Sequence, residues 1–296
     1  MFRSMWFAPH DPRAMVEQTV AAELFDGVEG PIPEAAAGRR ELGRLLDDHG
    51  LGFIAECATG LARGGEPPSP DWWVPLPEKT VDDHLDDLKR CVEHCGEMGA
   101  RFITTMSGYD AWPWMRNVEF YGKVMDLQRS SGVTIAVENH RCRSTYNPWV
   151  MRDLLRAFPE MRMTCDFSHW CVVAERVIDT EVEIIELCAS RAEHCQCRVG
   201  DAQRAQVADP RAPECERAVR SHESWWDRIW DAHAASGRAA TTMTPEWGHQ
   251  GYTPRLPYTA QPVVDLWEVT TSFGRRQRAR YAARGGGASG GAAAAM

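Results

Sequence analysis

The stretch VTIAVENHR at residues 133–141 begins as a short apolar strand and ends in polar side chains. Successive side chains of a strand point to opposite faces, so Glu138 shares a face with Thr134 and Ala136. The opposite face is wholly apolar and consists of Val133, Ile135 and Val137. This pattern is typical of a parallel sheet that helices cover and that carries its reactive groups at the carboxyl ends of its strands.

The stretch MRMTCDFSHW at residues 161–170 repeats the pattern one unit later. Alternation places Asp166 on one face with Thr164. The other face carries Met163, Cys165 and Phe167, which we expect to contact a helix layer. Two neighbouring strands of this kind indicate that Asp166 and Glu138 lie at the same edge of a sheet.

Apolar strands alternate with helical segments along the whole chain. We predict strands at 2–7, 25–30, 51–57, 100–108, 133–138, 161–167, 194–200 and 240–246. We predict helices at 12–24, 33–48, 80–98, 114–130, 148–158, 181–189, 219–236 and 262–282, and Thr80 starts the third of them with a Thr-x-x-Asp capping pattern. Eight strands alternating with eight helices predict an α/β fold, the (β/α)8 TIM barrel. A doubly wound sheet is disfavoured because no Gly-x-Gly-x-x-Gly follows the first strand.

Length and composition agree with this fold class. The chain has 296 residues, which fits one barrel domain at 1–282 followed by a Gly/Ala-rich tail at 283–296 that we expect to be disordered. The net charge of −9 disfavours a nucleic-acid partner. No apolar run reaches the roughly 20 residues of a membrane span, and the N-terminus lacks the pattern of a secretory signal. Ten scattered cysteines fit reduced thiols and a cytoplasmic location, and a homo-oligomer is compatible with the sequence.

Four predicted strands end in polar groups that could meet at the mouth of the barrel. The fifth ends in Glu138 and His140 and the sixth in Asp166 and His169; the seventh carries His194, Gln196 and Arg198, and the eighth ends in Glu246. Acidic groups that end apolar strands are unfavourable unless they are paired or bind a cation. Two glutamates and an aspartate suit a divalent metal with oxygen-rich ligation. The residues alone leave a second interpretation open, in which these acids cap helices or form ion pairs.

The seventh strand also carries two cysteines beside a histidine, which raises the question of a zinc site. Alternation places Cys195 and Cys197 on the face opposite His194. We therefore expect both cysteines to be small buried apolar residues beneath the helices.

Six motifs resemble, in order and context, the xylose isomerase-like superfamily of sugar phosphate isomerases and epimerases. The resemblance covers roughly residues 1–280 and rests on EGP at 29–31, VENHR at 137–141, CDFSHW at 165–170, CRVGDAQRAQVADP at 197–210, HESWW at 222–226 and TPEWG at 244–248. It implies a TIM barrel enzyme of carbohydrate metabolism that acts on a small sugar or polyol.

The resemblance also implies a metal site. Carried onto matching positions, the ligands are Glu138, Asp166, Gln196 and Glu246, and the cofactor is a divalent metal such as Mn²⁺, Mg²⁺, Co²⁺ or Zn²⁺. Gln196 stands where the family pattern usually has histidine. An amide oxygen binds a hard cation, although more weakly than imidazole binds a transition metal.

Residue roles follow from the same resemblance. Glu138 and Glu246 are the expected catalytic pair, one removing a proton beside a carbonyl and the other returning it through an enediolate. The expected substrate-binding residues are His140, His169, Arg198, Trp6 and Trp247, with the two tryptophans as apolar walls. For the pair Trp225–Trp226 we expect packing of a helix against the barrel.

Three function classes remain open at this point. The first is a metal-dependent isomerase or epimerase that acts on a small sugar or polyol ketone. The second is a lyase on the same fold, such as a dehydratase of an inosose-like or dehydroshikimate-like substrate. The third is a non-catalytic descendant that binds a small molecule through a degraded metal site, which Gln196 favours. The apurinic endonucleases of the same superfamily are disfavoured, because the chain lacks a His-rich multi-metal pattern and a basic DNA-binding face.

Overall fold

Eight parallel strands form a nearly closed barrel in the computed structural model, which describes residues 1–62, 73–249 and 251–285. The strands are β1 (Phe2–Ser4), β2 (Gly27–Pro31), β3 (Gly52–Ala58), β4 (Ala100–Met106), β5 (Ile135–Glu138), β6 (Arg162–Cys165), β7 (Ala192–Gln196) and β8 (Met243–Thr244). Each pairs in parallel with the next along the chain, and β8 lies beside β1. The predicted (β/α)8 TIM barrel is confirmed.

Helices surround the barrel in the predicted order. They are α1 (Pro12–Ala21), α2 (Ala36–Asp48), α3 (Val81–Cys95), α4 (Trp114–Ser131), α5 (Pro148–Ala157), α6 (Ser168–Val173), α7 (Val182–Arg191), α8 (Glu216–Ala235) and α9 (Leu266–Ala283). The capping box before α3 is confirmed, since the Thr80 hydroxyl accepts from the Asp83 N–H at 3.2 Å and the Asp83 carboxylate accepts from the Thr80 N–H at 2.8 Å.

The structure adds one helix that the sequence analysis did not predict. Helix α6 follows β6 directly, and its first residue, Ser168, donates its backbone N–H to the Asp166 carboxylate at 3.1 Å. Six residues are too few to show helical periodicity. Strands β1 and β8 are shorter than predicted. Strand β7 ends earlier than predicted, because after Gln196 the chain enters a loop in which the Val207 N–H donates to the Val199 carbonyl at 2.8 Å.

Side chains of the barrel face two ways, as the alternation predicted. The outward residues of β5 to β7 belong to the large apolar core between barrel and helices: Ile135, Val137, Met163, Cys165, Cys195 and, beyond the strand ends, Phe167 and Cys197. A second apolar cluster consists of Phe2, Ile54, Phe102 and Ala136. The polar residues that share a face with Ala136 and Thr164 therefore point into the barrel.

The structure also bears on the expectations for the Trp225–Trp226 pair, the cysteines, a membrane span and the C-terminal tail. Trp225 and Trp226 on α8 are 2% and 0% exposed, so the predicted packing of this helix against the barrel is confirmed. All ten cysteines are free thiols. No helix among the described residues is long and apolar enough to cross a membrane. Residues 286–296 of the predicted disordered tail lie outside the described residues.

Candidate active site

A cleft of about 1090 Å³ opens at the carboxyl ends of the strands. Its floor includes Glu56 from β3, Glu138 from β5 and Glu246, which follows β8. Aromatic side chains also line it, among them Trp6, Phe7, Trp73 and Tyr252. The position agrees with the rule that the loops after the strands form the reactive face of this fold.

The four residues expected to bind metal are buried around this floor. Glu138, Asp166, Gln196 and Glu246 are 2%, 0%, 2% and 5% exposed. The guanidinium of Arg198 lies between two of them: its Nε and Nη2 donate to Asp166 Oδ2 at 3.0 and 2.7 Å, and Nη2 also donates to Glu246 Oε2 at 2.8 Å. Asp166 and Glu246 therefore share one internal cation.

The side chain of Gln196 contacts a residue of β2, which is distant in sequence. Its Nε2 donates to Glu29 Oε1 at 3.3 Å, and the second carboxylate oxygen of Glu29 lies 3.2 Å from His194 Nε2. The Gln196 amide oxygen is buried and has no hydrogen-bond partner. Because Glu29 accepts from the NH₂ group, the amide presents its oxygen away from Glu29.

The donor set fits a divalent cation on two observations. The first is that Gln196 Oε1 and Glu138 Oε2 are buried acceptors without a partner, and a buried polar atom normally has one. The second is an imbalance of charge. Arg198 contacts two acids, Asp166 and Glu246. In all, five acids lie at this end of the barrel: Glu29, Glu56, Glu138, Asp166 and Glu246. An added cation would offset this excess of negative charge.

A second donor group overlaps the first. Ligand atoms of Glu138, His140 and His169 all lie within 4.8 Å of one another, and all three residues are buried. The centroids of the two imidazole rings are 4.0 Å apart. Neither ring nitrogen of His169 has a hydrogen-bond partner. His169 Nε2 lies 3.4 Å from Asp166 Oδ2, although not in hydrogen-bond geometry. Burial lowers the pKa of both histidines well below the usual range, so both rings are neutral.

Three glutamates of the cleft have raised pKa values. Burial, followed by the charges of Glu246 and Asp166, raises the pKa of Glu138 well above its ordinary value. Enclosure in the cleft wall, together with Glu246 and Glu29, does the same to the pKa of Glu56. Burial raises the pKa of Glu246 to about 7, although the Arg198 guanidinium opposes the shift.

The two tryptophans predicted as apolar walls differ in position. Trp6 lines the cleft, with its ring 5.0 Å from that of Tyr252 in an edge arrangement. A Cβ at Gly248 would lie 2.0 Å from the Trp6 ring, so only glycine lets the indole lie against the chain there.

The interpretation of Trp247 as a wall requires correction. Trp247 is 0% exposed, donates its Nε1–H to the Val207 carbonyl at 3.0 Å and packs 4.9 Å from Phe273 of α9. Because neighbouring residues of an extended chain point to opposite faces, turning Glu246 into the barrel turns Trp247 towards the helices.

Sequence reasoning missed three residues of the site. Glu56 was detectable, because it lies two residues after the inward-facing Ile54 and so shares its face. Glu29 appeared only as part of the EGP motif, without a role. Tyr252 lies in a loop, whose residues carry no periodic signal, yet its ring is 4.7 Å from the Arg198 guanidinium.

Comparisons with known proteins agree with this architecture. Residues 18–219 match the family profile described as the xylose isomerase-like TIM barrel. A D-tagatose 3-epimerase-like protein of known structure has a TM-score of 0.60 and 11% identity, over 95% of this chain and 96% of that one. A probable 3-DHS dehydratase from Bacillus anthracis has a TM-score of 0.57 and 13% identity, over 94% and 99% of the two chains.

A third solved structure, a 3-keto-D-glucoside 4-epimerase from E. coli, has a TM-score of 0.54 and 13% identity, over 85% of this chain and 95% of that one. At such identities the likeness concerns the fold alone. None of the curated proteins compared matches the chain.

Proposed function

The chain belongs to the xylose isomerase-like TIM barrel family, and from that membership we propose that it is a metal-dependent isomerase or epimerase. The substrate we propose is a small sugar or polyol ketone, and the reaction moves a proton at the carbon beside its carbonyl. The observation that carries the proposal is a pair of carboxyl groups, Glu138 and Glu246, which enter one cleft from β5 and from the end of β8.

These two carboxyl groups would perform the proton transfers. Strands β5 and β8 are three positions apart in a ring of eight, so the two groups approach a bound ketone from different sides. One removes the proton beside the carbonyl and the other returns a proton to the enediolate that results. Return to the same carbon on the opposite face gives an epimer, and return to the neighbouring carbon gives an isomer.

The metal that we propose is held by Glu138, Asp166, Gln196 and Glu246, with Mn²⁺, Mg²⁺, Co²⁺ and Zn²⁺ as candidates. When bound, such an ion polarises a carbonyl and stabilises negative charge on its oxygen. The substrate-binding residues in this proposal are His140, His169 and Arg198. Trp6 supports the proposal as an apolar wall, since its ring faces the cleft beside Tyr252.

The test is proton exchange in D₂O. The protein is incubated with Mn²⁺ and a panel of ketoses and polyol ketones, and the substrates are followed by proton NMR. We expect deuterium at the carbon beside the carbonyl, and a loss of exchange of about 10²- to 10⁴-fold in Glu246→Gln and in Glu138→Gln, as removal of an acid or base produces. The control is Glu17→Gln on the exposed face of α1, which should exchange like the wild type.

Two other outcomes would replace the proposal. Loss of water with a new conjugated carbonyl would identify a lyase. Absence of exchange, combined with a panel member that raises the melting temperature, would identify a non-catalytic binding protein. The position of Arg198 favours this last candidate, because its guanidinium already neutralises two of the four proposed ligands, Asp166 and Glu246.

A further inference from the structure

The cleft extends well beyond the proposed catalytic residues. Its volume of about 1090 Å³ lies just above the range, roughly 300–1,000 Å³, of pockets that bind ligands the size of a drug. The proposed catalytic groups come from β5 and from the end of β8, whereas much of the remaining wall comes from described residues that follow β1, β2 and β3. That remaining wall, here called the outer half, includes Phe7, Pro9, Pro31, Ile32, Leu61 and Trp73.

The charged residues that line the cleft do not form a phosphate-binding site. The acidic residues that line the cleft are Glu34, Glu56, Asp87, Glu138 and Glu246. The two lining arginines among the described residues already have acidic partners: Arg90 pairs with Asp87, and Arg198 pairs with Asp166 and Glu246. A phosphate ester carries a charge of about −1.5 to −2 at pH 7, and the described walls offer no unpaired arginine or lysine side chain to bind it.

Aromatic rings connect the two halves. The Tyr252 ring lies 4.7 Å from the Arg198 guanidinium, 5.0 Å from the Trp6 ring and 6.1 Å from the Trp73 ring. Aromatic faces of this kind bind apolar groups and rings by offset and edge contacts. A ligand whose reacting carbon lies beside Glu138 can therefore extend along this row of rings into the outer half.

We propose that the outer half binds an apolar, uncharged substituent, so that the substrate is a keto sugar that carries an aromatic aglycone and no phosphate. This inference rests on the proposed function for the reacting half of the molecule. The apolar residues of the outer half determine the substituent, and the lack of an unpaired arginine or lysine among the described lining residues disfavours the phosphorylated sugar.

Binding of unreactive glycosides tests the substrate class separately from catalysis. Calorimetry compares phenyl β-D-glucoside, methyl β-D-glucoside and glucose 6-phosphate, with and without Mn²⁺. We expect the phenyl glucoside to bind about 10- to 100-fold more tightly than the methyl glucoside, as burial of an aromatic ring predicts. Glucose 6-phosphate should bind most weakly. Equal affinity for the two glucosides, or tightest binding of the phosphate, would overturn the inference.

Variants of the outer half locate the aglycone. Phe7→Ala and Ile32→Ala should each reduce the ratio of phenyl to methyl affinity by about fivefold or more, since each removes apolar contact area. Trp149→Ala removes an aromatic ring on α5 that is 38% exposed and outside the cleft lining, so it should keep the wild-type ratio. An unchanged ratio in both cleft variants would contradict the assignment of the outer half.

The exchange experiment keeps the two proposals distinguishable. If simple ketoses exchange deuterium while the glucosides show no aryl preference, the proposed function stands and this inference fails. If the aryl preference is present and aryl keto-glycosides do not exchange, the aglycone site stands and the proposed chemistry fails.

Discussion

At the scale of single residues, Gln196 is the proposed metal ligand that bears most on the choice of metal. Its NH₂ group faces Glu29 at 3.3 Å, and its oxygen is buried without a partner. An amide oxygen favours hard cations, whereas imidazole is the better ligand for transition metals. The orientation of one amide therefore bears on which metals the site would select.

The change Gln196→His should tighten the binding of Mn²⁺, Co²⁺ and Zn²⁺, because it supplies an imidazole beside the other proposed ligands. We expect about 10- to 100-fold, the range over which changes around a metal site alter affinity. Isothermal calorimetry of the purified protein measures the effect. Gln203→His, which adds the same imidazole at an exposed position, is the control for adventitious binding. Equal affinities in the wild type and Gln196→His would place residue 196 outside the metal's ligand set.

At the scale of elements, the connection from β3 to α3 depends on one glycine. Gly60 has a φ of +72°, and a Cβ there would lie 2.2 Å from His84 Nε2. Its N–H donates to the Asp87 carboxylate at 2.8 Å, and the neighbouring Thr59 hydroxyl lies 2.7 Å from His84 Nδ1. The turn that leads from the barrel to α3 is thus packed directly on the first half of that helix.

Gly60→Ala should lower the free energy of unfolding by about 2 kcal/mol or more, since it combines backbone strain with a steric clash. Gly132→Ala is a matched control, because Gly132 has a φ of +71° but has open space around its Cβ position. Urea denaturation of both variants separates the two causes. If Gly60→Ala lowers the free energy of unfolding no more than Gly132→Ala does, the His84 side chain can move aside without destabilising the fold, which would contradict the prediction.

At the scale of the whole molecule, buried His222 links α8 to the barrel loops. Its Nδ1 lies 2.9 Å from the Ala218 carbonyl, and its Nε2 accepts from the Gly200 N–H at 3.3 Å. This pairing requires the neutral ring with its proton on Nδ1. Burial lowers the pKa of His222 to about 4, although the Ala218 carbonyl and the charges of Asp179 and Asp201 oppose the shift.

Acid should therefore destabilise the fold through His222. The unfolded chain binds this proton near pH 6.5 and the folded chain only near pH 4, so stability is complete above pH 6.5 and falls as the pH decreases towards 4. Between pH 8 and pH 5 we expect His222 to account for about 2 kcal/mol of the loss. Urea denaturation measures the free energy of unfolding at pH 8 and at pH 5. The difference between these two values should be smaller by that amount in His222→Gln than in the wild type. The control His10→Gln removes an exposed imidazole and should keep the wild-type difference; an unchanged difference in His222→Gln would contradict this role.

The sequence by itself determined the order of strands and helices and the faces of β5 to β7. Together with the family resemblance, it also gave Glu138, Asp166, Gln196 and Glu246 as candidate metal ligands at one end of the barrel. The two faces of each strand follow from the alternation of side chains along a strand, which is a local property that bond geometry imposes on any sequence. The same alternation, applied to the third and eighth strands, would have predicted an inward Glu56 and an outward Trp247, although the sequence analysis made neither prediction.

Only the tertiary structure decided which charges meet. Gln196 contacts Glu29 across 167 residues of sequence, and Arg198 joins Asp166 to Glu246. The approach of Tyr252, and the apolar outer half with its size and its acidic surroundings, likewise depend on loops from several strands that the curvature of the barrel brings together. No local pattern encodes such contacts, because each depends on the closure of eight strands into a ring and on the free space that remains at its mouth.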